Sequence, residues 1–270
     1  MRKDYIEAAE PADHETEFVE KFWTTVWEQE GGPQGKIDRI PRKDEYRTMA
    51  PYVAELPKGA RVLDGGCGLG DWTLYFARQG FSVVGLDLSR QTVEQLQARF
   101  PEAEFVDGDI RSTSFADSSF DAYFSWGVFE HFESGLQDCV REGFRVIKPG
   151  GLLFVSVPQD NLRHAILGSF ARPHPAGSKL RFYQWRLTRA ELARELEIGG
   201  FEVLDVQPIS KRQGVLRSLH HEFGLPYEWL LTKGLSALLA PLIPGSLIAH
   251  MVIAVARKPR NSAPDGGQRK

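Results

Sequence analysis

The stretch Leu63-Asp64-Gly65-Gly66-Cys67-Gly68-Leu69-Gly70 decides the fold expected for this chain. An apolar run over residues 60–63 precedes the glycines and predicts a strand, and an amphipathic stretch that begins at Asp71 predicts a helix. Glycines at such a junction allow a ligand to approach the backbone closely, because they carry no Cβ atom. We therefore predict a ligand-binding loop at the carboxyl end of a parallel strand.

Short apolar runs alternate with amphipathic stretches through most of the remaining chain, which is typical of a doubly wound α/β domain. Predicted helices begin near Asp71, Ser89 and Leu136, and another opens at a capping box formed by Thr188 and Glu191. Seven strands are predicted, at residues 60–63, 82–86, 104–106, 122–125, 151–157, 201–206 and 248–256. This order of elements predicts a Rossmann-like fold.

Two helical patterns precede the first of these strands. The first has an apolar stripe of Phe18, Phe22 and Val26 with Trp23 beside it, and a second stripe lies between residues 46 and 53. We expect these helices to cover an edge of the sheet or its ligand. The predicted organisation is an N-terminal helical cap over residues 1–57, an α/β domain over residues 58–258 with insertions at 159–187 and 207–245, and a disordered tail over residues 259–270.

The composition limits the possible functions. The 270 residues are 42% hydrophobic and 26% charged with a net charge of −3, so no overall positive field would draw the protein to nucleic acid. The only two cysteines, Cys67 and Cys139, lie far apart and fit no metal-binding pattern, so we predict no metal site and a reducing compartment. Acidic residues interrupt the start of the chain, which therefore lacks the pattern of a signal peptide. We expect a cytoplasmic protein.

An uncharged stretch over residues 234–256 qualifies this expectation. It is long enough to span a bilayer, but Pro241, Pro244, Gly245 and His250 interrupt it. We therefore predict a buried helix followed by a core strand and no transmembrane span. A lipid-facing surface, with peripheral attachment to a membrane, is the alternative.

Four motifs in a fixed order carry a resemblance to a known family. The first is the DxGxGxG pattern that starts at Asp64, and the others lie at residues 83–89, 106–110 and 120–127, followed by Lys148-Pro149-Gly150-Gly151. In this combination the sequence resembles class I S-adenosylmethionine-dependent methyltransferases that act on small molecules, over residues 55–208. The five-residue glycine span differs from the GxGxxG dinucleotide fingerprint, which makes an NAD-dependent oxidoreductase the weaker alternative.

The resemblance implies a seven-stranded, mostly parallel sheet with an antiparallel C-terminal strand, and S-adenosylmethionine as cofactor. It implies that Asp87 accepts hydrogen bonds from the two ribose hydroxyls and that Asp109 accepts one from the adenine amino group. It places Ile110 on the adenine ring and residues 120–127 beneath the methionine portion. The full set of cofactor-binding residues expected from it is Asp64, Gly65, Gly66, Gly68, Gly70, Asp87, Leu88, Asp109, Ile110, Ser125 and Trp126.

His131 is the candidate catalytic residue, because it follows the fourth predicted strand and imidazole titrates near neutral pH. As a general base it would take the proton from an acceptor hydroxyl group. The alternative is a structural histidine that bonds to the backbone beneath the site. The sequence leaves both interpretations open.

The acceptor is expected to contact the N-terminal helices and the two insertions. Within the first insertion, Tyr183, Trp185 and Arg186 are the candidate substrate residues, because aromatic rings stack on rings or sugars and guanidinium groups bind anions. We expect a small-molecule substrate that is anionic or lipid-linked, a glycan or a secondary metabolite, with O-methylation favoured. A noncatalytic cofactor-binding partner is the alternative from outside the enzymes.

Overall fold

The computed structural model describes residues 1–7, 14–161 and 180–260. The predicted tail over residues 259–270 lies almost wholly outside these ranges, as do residues 162–179 of the first insertion.

A seven-stranded sheet forms the centre of the described chain. Its strands are β2 (Arg61–Gly65), β3 (Ser82–Asp87), β4 (Glu104–Asp107), β5 (Phe120–Trp126), β6 (Ile147–Pro158), β8 (Glu202–Ile209) and β9 (Met251–Arg257). Their order across the sheet is β4-β3-β2-β5-β6-β9-β8, and β9 alone runs antiparallel to both of its neighbours. The predicted mostly parallel sheet with an antiparallel C-terminal strand is confirmed.

Helices cover both faces of this sheet. They are α1 (Glu15–Gln29), α2 (Asp44–Val53), α3 (Asp71–Arg78), α4 (Arg90–Arg99), α5 (Gln137–Val146), α6 (Arg189–Ile198), α7 (Lys211–His221), α8 (Leu230–Leu239) and α9 (Gly245–Ile248). Short 3-10 helices occur at Ile37–Arg42 and Phe129–His131. The capping box that opens α6 is confirmed, since Thr188 and Glu191 bond reciprocally.

The core lies on the two faces of the sheet because successive strand residues point in opposite directions. In β2, Leu63 packs into a cluster with residues of α5 and α6, whereas Val62 packs into a cluster with residues of α2 and α3. The parallel strands are therefore buried from both sides, and their carboxyl ends meet along one edge.

A second, two-stranded sheet pairs β1 (Arg2–Glu7) with β7 (Leu180–Arg186) in antiparallel orientation. The sequence analysis predicted neither strand, since it described residues 1–57 as a helical cap and residues 159–187 as an insertion. β1 is largely charged, β7 mixes aromatic with polar side chains, and the two strands are separated by most of the chain. Sequence periodicity cannot detect such a pairing.

The second insertion begins later than predicted, because β8 extends to Ile209, and it contains α7, α8 and α9. The final strand begins at Met251 rather than at residue 248, which ends helix α9, and its central residues are buried as predicted. The expectation of a buried helix before it is wrong, since α8 exposes leucines such as Leu230 and Leu238. Among the residues that the structure describes, none of the helices is long and apolar enough to cross a membrane.

Candidate cofactor site

A cavity of about 270 Å³ lies at the carboxyl ends of β2, β3 and β5. In a doubly wound sheet, ligands bind at this edge, next to the point where the strand order reverses. Helix α1 forms one wall, to which Trp23 and Trp27 contribute stacked rings with centroids 5.1 Å apart. The N-terminal helix therefore covers the ligand site rather than only an edge of the sheet.

The glycine loop between β2 and α3 forms the floor of the cavity. The backbone N–H groups of Gly66 and Cys67 both donate to the carbonyl oxygen of Leu86, at 2.7 and 2.9 Å, which ties the loop to β3. Gly66 has a φ of +79°, and a Cβ atom there would lie 2.4 Å from Val128. Gly68 has a φ of +51°, and a Cβ atom there would lie 2.8 Å from Trp27. Both positions therefore require glycine.

Asp87 is the last residue of β3, and hydrogen bonds from backbone N–H groups orient its carboxylate. One oxygen accepts from the N–H of Gly68 at 2.8 Å and the other accepts from the N–H of Ser89 at 3.0 Å. Burial raises the pKa of Asp87, and these N–H donors oppose the rise. Each oxygen retains a further lone pair, so the carboxylate can still accept two hydrogen bonds from a ligand in the cavity.

Asp64 lies at the end of β2 and is 2% exposed. Its carboxylate accepts a hydrogen bond from the hydroxyl group of Thr73 at 2.7 Å. Burial raises the pKa of Asp64 to about 7, and the nearby charge of Asp87 adds to the rise. A positively charged ligand in the cavity would favour the ionised form of Asp64.

Arg111 joins the loop after β4 to helix α1. Its guanidinium group bonds both oxygens of Asp109, the carboxylate of Glu15 at 2.9 Å and the hydroxyl group of Thr16 at 2.8 Å. The Asp109 carboxylate lies in the cavity lining, whereas Glu15 and Thr16 lie in the first turn of α1. Polar contacts thus connect a wall of the cavity to one of its carboxylates.

His131 lines the cavity and is 5% exposed. Its Nδ1 lies 2.8 Å from the carbonyl oxygen of Tyr183, so Nδ1 carries the proton and Nε2 carries the lone pair. Burial lowers the pKa of His131 to about 4, although the backbone carbonyl groups of Tyr183 and Gly127 oppose the shift. The imidazole is therefore neutral at pH 7. Its ring packs 5.1 Å from that of Trp23.

Comparison with known proteins places this site in a family. Residues 62–151 match the model of a methyltransferase domain. A probable S-adenosylmethionine-dependent methyltransferase of Mycolicibacterium smegmatis is 35% identical over 160 residues, which cover 59% of this chain and 57% of that protein. The chain contains a class I S-adenosylmethionine-dependent methyltransferase domain. The cofactor of this methyltransferase domain is S-adenosylmethionine.

Two further relatives extend the similarity beyond the methyltransferase domain. The 24-methylenesterol C-methyltransferase 2 of Oryza sativa subsp. japonica is 30% identical over 248 residues, which cover 84% of this chain and 60% of that protein. A structure of the Burkholderia thailandensis 1,6-didemethyltoxoflavin-N1-methyltransferase with bound S-adenosylhomocysteine aligns with a TM-score of 0.57, at 19% identity and 96% coverage of both chains, and so supports the fold. The chain spans less than two thirds of the length of each of the two curated relatives.

The cavity of the methyltransferase domain fits this cofactor. Gly66 and Gly68 leave space that a side chain would fill, and Asp87 has lone pairs available for hydroxyl groups. The lining also favours a cationic sulfonium, because it contains one Lys or Arg, Lys43, and six carboxylates among the described residues. The carboxylates belong to Glu20, Glu30, Asp64, Asp71, Asp87 and Asp109.

Most of the predicted cofactor-binding residues line this cavity, namely Asp64, Gly66, Gly68, Asp87, Leu88, Asp109, Ile110 and Trp126. Three others lie outside the lining and support it. A Cβ atom at Gly65 would lie 2.4 Å from Tyr123, and one at Gly70 would lie 2.6 Å from Leu96. Ser125 is fully buried and donates its hydroxyl hydrogen to the Gly65 carbonyl oxygen.

The three predicted substrate residues also lie outside the cavity lining. Tyr183 contacts the site through the bond between its carbonyl group and His131. Trp185 donates its indole N–H to the Phe132 carbonyl oxygen at 3.0 Å, and Arg186 pairs with Asp4 of β1. The first insertion also contains Arg163, His164, Arg172, His174 and Lys179, which lie outside the described residues.

Sequence reasoning missed several lining residues of the N-terminal region. The apolar stripe of α1 was found, but its pattern does not say which element it packs against, so Trp23 and Trp27 were not assigned to the site. Lys43 was missed because an isolated lysine carries no motif. Its Nζ lies 5.4 Å from the ring centroid of Trp72, and it is a lining residue of the cavity.

Proposed function

We propose that this protein transfers a methyl group from S-adenosylmethionine to a hydroxyl group of a small, predominantly apolar molecule. The observation that carries the proposal is that the lining of one cavity combines the cofactor-binding features with a neutral histidine and aromatic side chains. When bound, the cofactor supplies a methyl group on a sulfonium, which is an activated donor. The protein then has to align the acceptor and exclude water.

Named residues of the cavity have distinct proposed roles in holding the cofactor. Asp87 accepts hydrogen bonds from the ribose hydroxyls, and Asp109 accepts one from the adenine amino group while it remains paired with Arg111. Leu88 and Ile110 pack on the adenine ring, and Trp126 lies beside the methionine portion. Lys43 pairs with the methionine carboxylate, since it is the one cation among the described lining residues.

The acceptor side of the cavity favours an uncharged ligand. Trp23, Val128 and Phe132 offer apolar surface beside His131. Because the described lining carries an excess of carboxylates, an anionic acceptor would be repelled there. Of the acceptors expected from the sequence, a lipid-linked or apolar secondary metabolite therefore fits better than an anionic one.

His131 is proposed to accept a hydrogen bond at Nε2 from the acceptor hydroxyl group and to receive its proton as the new O–C bond forms. With a pKa of about 4, neutral imidazole is a weak base towards an alcohol. A protonated ether is far more acidic than an alcohol, so a weak base suffices once methyl transfer is under way. Tyr183 positions His131 through its carbonyl oxygen.

The test of this function is transfer of label from S-adenosylmethionine to candidate acceptors that differ in charge and apolar size. S-adenosylhomocysteine should raise the Tm, whereas NADH should not. A protein stabilised by NADH alone would be an oxidoreductase. A protein that binds S-adenosylhomocysteine but methylates none of the acceptors would support the noncatalytic alternative.

Two substitutions should distinguish the contacts made at the two ends of the cofactor. Lys43→Gln should weaken S-adenosylhomocysteine binding about three- to tenfold and leave 5′-methylthioadenosine binding unchanged, because the latter lacks the carboxylate. Asp87→Asn should weaken both ligands by about tenfold to a hundredfold, because both contain the ribose. Isothermal titration calorimetry measures all four affinities. Equal losses for the two ligands in the Lys43 variant would contradict the carboxylate contact.

Replacement of His131 with alanine should lower kcat roughly a hundredfold and leave S-adenosylhomocysteine affinity nearly constant. At saturating S-adenosylmethionine, the kcat of the wild type should stay level down to about pH 5, since the Nε2 lone pair is lost only near the pKa of about 4. Turnover per folded molecule, measured beside a melting curve, separates this role from a structural one. A variant with wild-type turnover per folded molecule would show that His131 is only structural.

A further inference from the structure

The outer face of α8 carries an apolar surface that the proposed enzymatic function does not use. We define this face by Leu230, Leu231, Leu238 and Leu242, whose exposed fractions are 87%, 62%, 67% and 75%. Gly234 and Ala237 are exposed on the helix between them, and Pro241 and Leu242 lie in the exposed turn directly after its C-terminal end. The face therefore contains no charged or polar side chain over about three turns.

The inner face of the same helix is mixed, because buried hydroxyl groups lie beside Leu239 and Ala240, which pack in a cluster with Val215 and Ile248. Thr232 and Ser236 are both fully buried against the rest of the insertion. The helix thus buries two hydroxyl groups and leaves its most exposed leucines in solvent, which is unusual for a helix of a water-soluble domain. Exposed apolar patches of this kind mark contact sites in proteins and membranes.

We propose that the outer face of α8 docks this protein on the surface of a lipid bilayer that contains anionic lipids. The leucines project from one helix as a convex ridge. A fluid hydrocarbon phase can accommodate a ridge, whereas a second protein would need a groove of matching shape. At 10 residues, α8 is too short to span the bilayer, so it lies in the plane of the interface.

Two further features of the insertion that contains α8 suit the interface. Trp229 and Phe223, which are 55% and 72% exposed, supply aromatic rings in the segment that precedes α8. The insertion contains four basic residues and two acidic ones, although the whole chain has a net charge of −3. The basic residues are Lys211, Arg212, Arg217 and Lys233, of which Lys233 pairs with Glu228 and Arg212 contacts Ser236 and the Lys233 carbonyl oxygen of α8. The insertion is therefore complementary in charge to anionic headgroups.

The test compares vesicle binding by the full chain and by two variants. The first variant replaces Leu230, Leu238 and Leu242 with serine, and the matched control replaces Ile198, which is 60% exposed on α6. The wild type and Ile198→Ser should co-sediment with phosphatidylcholine vesicles that contain phosphatidylglycerol. The triple variant should bind about a hundredfold more weakly. It should keep the wild-type Tm increase with S-adenosylhomocysteine, which shows that it is folded.

Tryptophan fluorescence quenching tests whether the outer face of α8 contacts the lipid acyl chains. Lipids brominated in the acyl chains should quench the wild type more strongly than Trp229→Phe, because Trp229 would lie at the level of the upper acyl chains. A wild type that stays in the supernatant, or a triple variant that still co-sediments, would overturn the proposal. Concentration-dependent self-association that the triple variant loses, without vesicle binding, would instead assign the face to a second copy and also overturn it.

Discussion

Replacement of Gly66 with valine should abolish S-adenosylhomocysteine binding, with a loss of affinity greater than about a hundredfold. A Cβ atom at this position would lie 2.4 Å from Val128, which also lines the cavity, and the backbone has a φ of +79°. The loop or Val128 would have to move into the space proposed for the cofactor. Calorimetry with S-adenosylhomocysteine measures the affinity.

The matched control is Gly80→Val. Gly80 has a φ of +89°, but no atom lies within 4 Å of a Cβ atom built there. The control therefore carries the same backbone penalty without the steric conflict, and it should bind S-adenosylhomocysteine as the wild type does. Normal affinity in a folded Gly66 variant would show that the loop does not form the cofactor site.

The second large effect concerns Glu130, whose substitution with glutamine should stabilise the protein increasingly as the pH rises. Glu130 is 2% exposed, and its Oε2 has no hydrogen-bond partner. Burial raises its pKa to about 8, so the folded state keeps the carboxyl group protonated where the unfolded state releases the proton. Because of Glu130, the free energy of unfolding of the wild type therefore decreases by about 3 kcal/mol as the pH rises from 5 to 8.

Urea unfolding at several pH values measures this difference. The gap between Glu130→Gln and the wild type should widen by about 3 kcal/mol over that interval. Comparison at the same pH removes the opposite contribution of His131, whose lowered pKa costs stability as the pH falls below its unfolded value. Exposed Glu102 provides the control, since Glu102→Gln should leave the pH profile unchanged. A gap independent of pH would show that Glu130 is ionised in the folded state.

The central sheet and most of the cofactor loop could be predicted because their signals are local. A buried parallel strand is a continuous apolar run, and glycines mark the loop that follows it. Ser125 shows the limit of this reasoning, since it lies in the right motif but donates its hydroxyl hydrogen to Gly65. Motif position alone does not determine the direction of a side chain.

The remaining features depend on contacts between distant parts of the chain. The pairing of β1 with β7 joins residues such as Arg2 and Arg186, and neither strand has a regular alternation of apolar and polar residues. The uncharged stretch over residues 234–256 indicated apolar elements, but composition cannot tell which face of a helix is buried. Because Thr232 and Ser236 point inward, the apolar face points outward.

Helix α1 has a consequence for how this protein can change during evolution. Trp27 lies against the glycine loop, whereas Trp23 lies against His131 on the proposed acceptor side. One helix therefore shapes the pockets of both ligands. A substitution that tilts α1 to admit a larger acceptor would also alter the affinity for the methyl donor. Changes in acceptor choice and in cofactor affinity are thus mechanically linked, and a lineage that acquires a new acceptor has to readjust the Arg111 contacts that hold α1 in place.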